Sequence, residues 1–213
     1  MSCIPSKEEM QRTLEARHGK ELQAKFTGST VAICGLGGLG SNIAVSLARA
    51  GIGRLILIDF DQVDISNLHR QQYRANQIGY CKTDALKENL QEISPYLDIV
   101  THTVRVEENN LTELLQDADI ICEAFDDAEA KAMLVNGVLE KLHTKYLIAA
   151  SGMAGLGSAN SIKTRRVMER FYLCGDGVSD VADDIGLVAP RVMLCAAHQA
   201  QMVLRILSGN YEP

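Results

Sequence analysis

VAICGLGGLGSNIAVSLARAGIGRLILIDFDQVDISNLHRQ, residues 31–71, decides the fold. It opens with the apolar run Val31-Ala32-Ile33-Cys34, turns through GLGGLGS at 35–41 and reads as a helix over 42–50. An apolar run at 55–58 follows, and then the polar segment 59–71. Gly35-x-Gly37-x-x-Gly40, with Gly38 in the same turn, has the spacing of a nucleotide-binding loop. Gly35 permits the tight turn, Gly37 admits a ligand against the backbone, and Gly40 lets the helix pack on the strand. Amides at the helix start then face any phosphate placed there. Such loops also occur as plain strand-to-helix turns. A strand before, a helix after and Asp59 closing the next strand favour the nucleotide.

Two nucleotide classes compete. In a dinucleotide enzyme Asp59 takes a ribose hydroxyl. Beyond Asp59, however, Asp61, Asp64, Asn67, Arg70 and Gln71 crowd the segment just past the strand's carboxyl end, where ligands bind in open α/β sheets. An arginine and an asparagine there suit a polyphosphate better than a nicotinamide ring.

Around this stretch the chain alternates strands and helices, which predicts a Rossmann-like, doubly wound, mostly parallel sheet. Residues 6–26 read as one charged amphipathic helix ahead of the first strand. Ser66 or Asn67 caps a short helix running to Tyr73, and a longer helix spans 82–93 before Ser94-Pro95. Strands follow at 98–103, 120–122 and 145–150, with helices at 111–115 and 128–142. Lys82, first in its helix, opposes the helix dipole and so hints at a phosphate partner. By itself it reads more simply as a solvated surface lysine. Asp126 and Asp127 follow the fourth strand, either as ligands to a metal or as a helix cap. Residues 161–167 and 171–174 form a short antiparallel extension. The aspartate-rich stretch 175–186 reads as a mobile loop, and Pro190 opens a last helix ending at Gly209. The organisation is one domain: an arm at 1–28, a nucleotide-binding core at 29–152, and strands, loop and final helix at 153–213.

With 213 residues, 46% of them apolar, one α/β core is expected. A net charge of −6 and the lack of a basic cluster argue against a nucleic-acid partner. No run of about 18 apolar residues spans a membrane, and MSCIPSKEEM lacks the pattern of a signal peptide. Six dispersed cysteines form no CxxC pair, which argues against a zinc knuckle, and Cys34, Cys122 and Cys195 read as buried small hydrophobes. A reducing cytoplasm fits both. Of five histidines only His69 lies near the proposed site.

GLGGLGS followed by DFDQVDISNLHRQ resembles the ubiquitin-activating-enzyme superfamily. It looks most like its ThiF/MoeB-like branch of sulfur carrier protein adenylyltransferases, and closest to the short ThiF type of thiamine biosynthesis. The SNLxRQ element carries more of the likeness than the glycine loop, and the resemblance runs over residues 31–207.

It implies that a small ubiquitin-like carrier ending in Gly-Gly is activated by MgATP, giving an acyl-adenylate and pyrophosphate. Transferred by motif position, Gly35, Gly37, Gly38 and Gly40 pack the nucleotide, Asp59 holds the ribose, and Asp61 lies beside it. Asn67, Arg70 and Gln71 contact the phosphates, Lys82 neutralises their charge, and Asp126 binds Mg²⁺. The resemblance also implies a homodimer whose partner inserts an N-terminal arginine, here Arg17 with Arg12 as the second choice.

Three departures stand out. Paired CxxC motifs are missing, so no structural zinc is expected. Lys131 replaces the usual arginine after the fourth strand. Ala182 aligns with the family's loop cysteine, leaving Cys174 as the one candidate thiol, with Asp176 and Glu169 expected to raise its pKa. The alternatives are an enzyme activating a non-protein carboxylate, like the dehydratase of a carbamoylated tRNA base, a nicotinamide-dependent dehydrogenase, and a non-catalytic nucleotide-binding scaffold.

Overall fold

The structure, a computed structural model, describes residues 4–182 and 185–213. Cys3 and two of the loop aspartates, Asp183 and Asp184, lie outside them.

Apolar runs flanked by turns become the strands β1 (Thr30–Cys34), β2 (Arg54–Ile58), β3 (Asp98–His102), β4 (Ile120–Glu123) and β5 (Tyr146–Ala150). Together with β6 (Lys163–Met168) and β7 (Phe171–Gly175) they build one sheet in the order β3-β2-β1-β4-β5-β7-β6. Every neighbouring pair is parallel except β6 with β7. Only the edge strand β6 is therefore antiparallel, since β7 runs parallel to β5.

Alternate side chains of the central strands feed two cores. Val31, Ile33, Leu55, Leu57 and Cys122 join Leu39, Ile43 and Leu47 of α3 (Gly38–Ala50), Leu86 and Leu90 of α4 (Lys82–Ile93) and the inner face of α7 (Ala189–Ser208). On the opposite face Ala32, Cys34, Ile56, Ile58 and Ile121 meet Leu111 and Leu115 of α5 (Leu111–Leu115) and Leu134 and Val138 of α6 (Ala128–Lys141). Covering both faces explains why β1 and β2 are continuously apolar. Order along the sheet reverses between β1 and β4, so the crevice at their carboxyl ends is the switch point where such sheets take ligands.

Three local expectations are corrected. The amino-terminal segment is not one helix: α1 (Lys7–His18) and α2 (Lys20–Thr27) are separated by Gly19, whose φ of +87° suits glycine and closes α1 through a bond from its amide to the Glu15 carbonyl. No helix reaches Tyr73 either. A 3₁₀ turn at Ile65–Asn67 is capped by Asp64, not by Ser66 or Asn67, and the Gln72 amide donates to Ser41 Oγ instead of continuing a helical ladder. The helix after the glycine loop also begins earlier, at Gly38.

Gln199 of α7 is fully buried, and its amide nitrogen donates to the Glu123 carbonyl at 3.0 Å and the Ile148 carbonyl at 3.1 Å. It ties α7 across β4 and β5. Gln199→Leu should lower stability by about 2 kcal/mol, because two buried carbonyls lose a donor. The readout is a lower urea midpoint at unchanged slope.

Candidate nucleotide site

The glycine loop is shaped by contacts that only missing side chains allow. Gly35 has φ +91°, and a Cβ there would lie 2.7 Å from the Ala124 carbonyl at the end of β4. A Cβ on Gly40 would come within 1.8 Å of the Gly35 carbonyl, so the helix start sits directly against the loop. A Cβ on Gly37 would meet nothing nearer than Gln71 Nε2 at 3.6 Å, and one on Gly38 would strike Val192 Cγ1 of α7 at 2.9 Å. Gly37 caps α3 without a side-chain bond, leaving the first-turn amides for a ligand.

Asp59 is buried and organises the loop. Its Oδ2 accepts from the Leu36 amide at 2.6 Å and its Oδ1 from the Asp61 amide at 2.8 Å. Carboxylate oxygens hold about four lone-pair sites between them, so acceptor capacity for a ribose hydroxyl remains. Tyr73, whose role the sequence did not suggest, donates its hydroxyl to the Leu36 carbonyl at 2.7 Å. Burial, aided by Asp59 and Asp61, raises the Tyr73 pKa well above the ordinary phenol value, so it remains a donor.

Opposite the loop, Arg70 Nη2 donates to Asn67 Oδ1 at 3.1 Å, and its backbone carbonyl is pinned by Asn42 Nδ2 at 3.2 Å. Burial lowers the Arg70 pKa, and the Asp126 carboxylate pulls it back upward. Arg70 Nε and Gln71 Oε1 are buried with no hydrogen-bond partner. A half-buried guanidinium and a buried amide oxygen left without partners beside the glycine loop are the arrangement a polar ligand would complete.

Lys82 is not a solvated lysine. Its side chain is only 7% exposed, and Nζ donates to Asp61 Oδ2 at 2.7 Å. The Lys82 amide bonds the Asp61 carbonyl, and Gln62 bridges to Cys81, so the polar segment and the start of α4 are stitched together. Asp61 offsets the unfavourable placement of a cation at a helix amino terminus.

Past β4, the two aspartates divide the roles left open by the sequence. Asp127 caps α6, accepting from the Ala130 amide at 2.8 Å. Asp126 is exposed and accepts no hydrogen bond among the described residues. Lys131, at the position of the usual arginine, reaches back to Glu123, with Nζ 3.0 Å from each carboxylate oxygen. Burial raises the Glu123 pKa, while the Lys131 charge and the Lys131 and Phe125 hydrogen bonds act to lower it.

These elements bring Gly35, Gly37, Gly38, Gly40, Asp59, Asp61, Asn67, Arg70, Gln71, Lys82 and Asp126 to the carboxyl edge of the sheet. Arg17 and Arg12 are not among them. Both are exposed on α1, beside a surface depression of about 710 Å³ that they share with Glu9, Thr13 and Ala16. Leu14 and Gln23 pack around Gly51, just past the carboxyl end of α3, and Tyr96 donates to the Pro5 carbonyl ahead of β3. These contacts put the arm at the amino ends of the strands, away from its own chain's crevice.

Cys174 is fully buried in β7, and burial pushes its thiol up to about 11, with a hydrogen bond to Thr164 acting the other way. The carboxylates expected to raise it are not the cause. Asp176 is turned to Arg191 Nη2 at 2.6 Å and to the amides of Val178 and Ser179. Burial raises its pKa, but the Ser179 and Val178 bonds and the Arg191 charge outweigh it, so Asp176 titrates below its usual value. Arg191 Nη1 also holds the carbonyls of Gly157 and Ser158, clamping two loops that no local pattern joins. At pH 8 about one Cys174 in a thousand would be thiolate, so iodoacetamide should alkylate it at least about a hundredfold more slowly in native than in denatured protein. Ala182, where the loop cysteine was expected, is exposed.

The sequence model described as the ThiF family matches residues 10–213. The adenylyltransferase and sulfurtransferase MOCS3 of Aedes aegypti is 29% identical over 205 residues, covering 90% of this chain and 45% of that protein. MOCS3 of Dictyostelium discoideum is 30% identical over 218 residues, covering 92% and 49%. This chain thus spans about half the length of the curated relatives it matches. Among solved structures, the Escherichia coli tRNA N6-threonylcarbamoyladenosine dehydratase TcdA in complex with ATP superposes with a TM-score of 0.85 at 18% identity, covering 97% of this chain and 98% of that one. E. coli MccB superposes with a TM-score of 0.69 at 25% identity, covering 90% and 58%.

Proposed function

Since this chain belongs to the ThiF family, we propose that it binds ATP at the β1–β4 crevice and adenylates the terminal glycine carboxylate of a small ubiquitin-like sulfur carrier protein. The observation that carries the reading is the meeting of Arg70, Lys82 and Asp126 beside the glycine loop, with Arg70 Nε and Gln71 Oε1 unpartnered. The adenylyltransferase names of the MOCS3 relatives support the reaction class. The SNLHRQ segment and the ThiF likeness support a carrier of the ThiS type, with sulfur transfer for thiamine biosynthesis downstream.

In this reaction the carrier carboxylate attacks the α-phosphate of ATP, the α–β phosphoanhydride bond breaks, and pyrophosphate leaves with its electron pair. No protein nucleophile is required. The protein must bring two anions together and neutralise the charge that gathers on the leaving group. The amides at the start of α3 and the Gly37 backbone cradle the nucleotide, and Asp59 orients its ribose. Arg70, Asn67 and Gln71 grip phosphate oxygens, and Lys82 turns from Asp61 towards the departing pyrophosphate.

Mg²⁺ fits the residues present: it is commonly held by one or two carboxylates plus substrate phosphates, and Asp126 offers such a carboxylate. When bound there, the ion supplies further positive charge to the phosphates. No group of three or more His, Cys, Asp or Glu among the described residues makes a self-sufficient metal cage, and the proposal needs no structural zinc. Because Arg17 lies at the far end of its own sheet, an arginine delivered to the crevice would come from the partner subunit of a homodimer.

ATP–pyrophosphate exchange, measured with and without a Gly-Gly-ended carrier, tests the reading. Carrier-dependent exchange, lost in Asp126→Ala, is expected. ATP binding without exchange would favour a scaffold or a non-protein carboxylate substrate, and binding of NAD but not ATP would point to a dehydrogenase.

A further inference from the structure

His69 occupies the variable position of SNLHRQ, and one of its nitrogens is asked to do two incompatible things. Nε2 lies 3.2 Å from the Leu187 carbonyl and 3.3 Å from Arg70 Nη1. The carbonyl only accepts and the guanidinium only donates. A ring nitrogen carries either a proton or a lone pair, so Nε2 can serve one neighbour at a time. Both distances sit at or beyond the long end of the hydrogen-bond range, as expected for a group shared between competitors.

We propose that His69 is a positioning residue that couples nucleotide occupancy at Arg70 to the seating of the segment entering α7. The coupling rests on the reading of the crevice as an ATP site. Without nucleotide, Arg70 Nη1 leans on the His69 lone pair, and Leu187 lacks its donor. With ATP, Arg70 turns to phosphate oxygens, where a charge-assisted bond outweighs a neutral one. His69 then carries its proton on Nε2 and donates it to the Leu187 carbonyl. The imidazole changes tautomer with no net proton gained, by exchange with the solvent to which His69 is exposed.

The geometry around Leu187 gives the exchange a consequence. Leu187 packs on the core under α7, and Val188 caps that helix. One turn on, Arg191 clamps Asp176, Gly157 and Ser158, and Val192 abuts the glycine loop at Gly38. Seating Leu187 therefore steadies the helix start that forms one wall of the crevice.

Hydrogen exchange of the amides of Leu187, Val188, Ala189, Arg191 and Val192, with and without saturating ATP, tests the coupling beside a direct measurement of ATP binding. In the wild type, ATP should slow exchange there about fivefold, the size expected from one net hydrogen bond. His69→Leu should still bind ATP yet lose that slowing. His69→Gln carries donor and acceptor on separate atoms, so it can hold both partners at once. Its segment should be protected before ATP is added, and ATP should change it little. A purely structural role would speed exchange in His69→Leu equally with and without ATP. An ATP-induced ratio that survives in either variant overturns the coupling, as does wild-type binding with unchanged exchange. Failure of the wild type to bind ATP overturns the site reading itself, and the coupling with it.

Discussion

Arg70→Ala should lower carrier-dependent ATP–pyrophosphate exchange by about 10²–10³, the scale seen when one preorganised donor is removed from a developing anion. The loss should fall mainly on the turnover rate, since charge on the pyrophosphate grows as the reaction proceeds. Stability should hardly change. Arg70 Nε is already unpartnered, the bonds lost to Asn67 and His69 are long and partly solvent-exposed, and the backbone of Arg70 stays pinned by Asn42 whatever side chain it carries. Arg70→Lys restores the charge but not the planar fork, so recovery should be partial. A melting curve run beside the exchange assay separates the two effects. Full activity in a folded Arg70→Ala protein would remove Arg70 from the phosphate site.

Lys131→Met should cost about 3 kcal/mol of stability at neutral pH, because breaking a buried ion pair strands the remaining charge. The low end of the range applies since Lys131 is 26% exposed, whereas Glu123 is 1% exposed. Burial already raises the Glu123 pKa with Lys131 present, and removing the lysine raises it further. The folded variant thus holds that proton more tightly than the unfolded chain does. Its stability is greatest below the ordinary glutamate range and declines as pH rises through the raised value. Urea midpoints of wild type and variant should therefore lie closest in mild acid and diverge towards neutrality. Glu123→Gln combined with Lys131→Met should recover much of the loss. A gap that does not vary with pH would mean that Lys131 acts through packing, not charge.

How far the chain could be read without coordinates follows from where the determining physics is local. Residues 31–71 declared both strands, the turn and the helix because apolar runs and glycine spacing are short-range signals, and the resemblance named the polar residues that gather at the crevice. What failed or stayed hidden was tertiary. The Gln72 amide leaves its helix for Ser41, thirty-one residues away in the chain. Lys82 looks like a surface lysine until Asp61 folds over it. Glu123 falls just past the strand read at 120–122, and nothing near it announces a buried charge answered from α6. Arg191 and Gln199 sit within an apolar helix where a linear reading passes over them, yet each joins segments far apart in sequence. The tandem Asp126-Asp127 had a local solution, since a cap needs the residue next to the helix and so leaves the other free.

The antiparallel strand β6 also has a meaning for how the molecule behaves in a crowded solution. As the last strand of the sheet it offers an unsatisfied row of backbone donors and acceptors, the kind of rim along which sheets fuse end to end. Lys163, Arg165 and Arg166 populate that rim, and the two hydrophobic residues that close it, Val167 and Met168, are half exposed. Arg166 is answered by Glu212 of its own chain, but two copies approaching rim to rim would still bring the Lys163 and Arg165 charges of each together, so this border repels its own image. Intermolecular growth of the sheet along this border is thereby opposed by electrostatics.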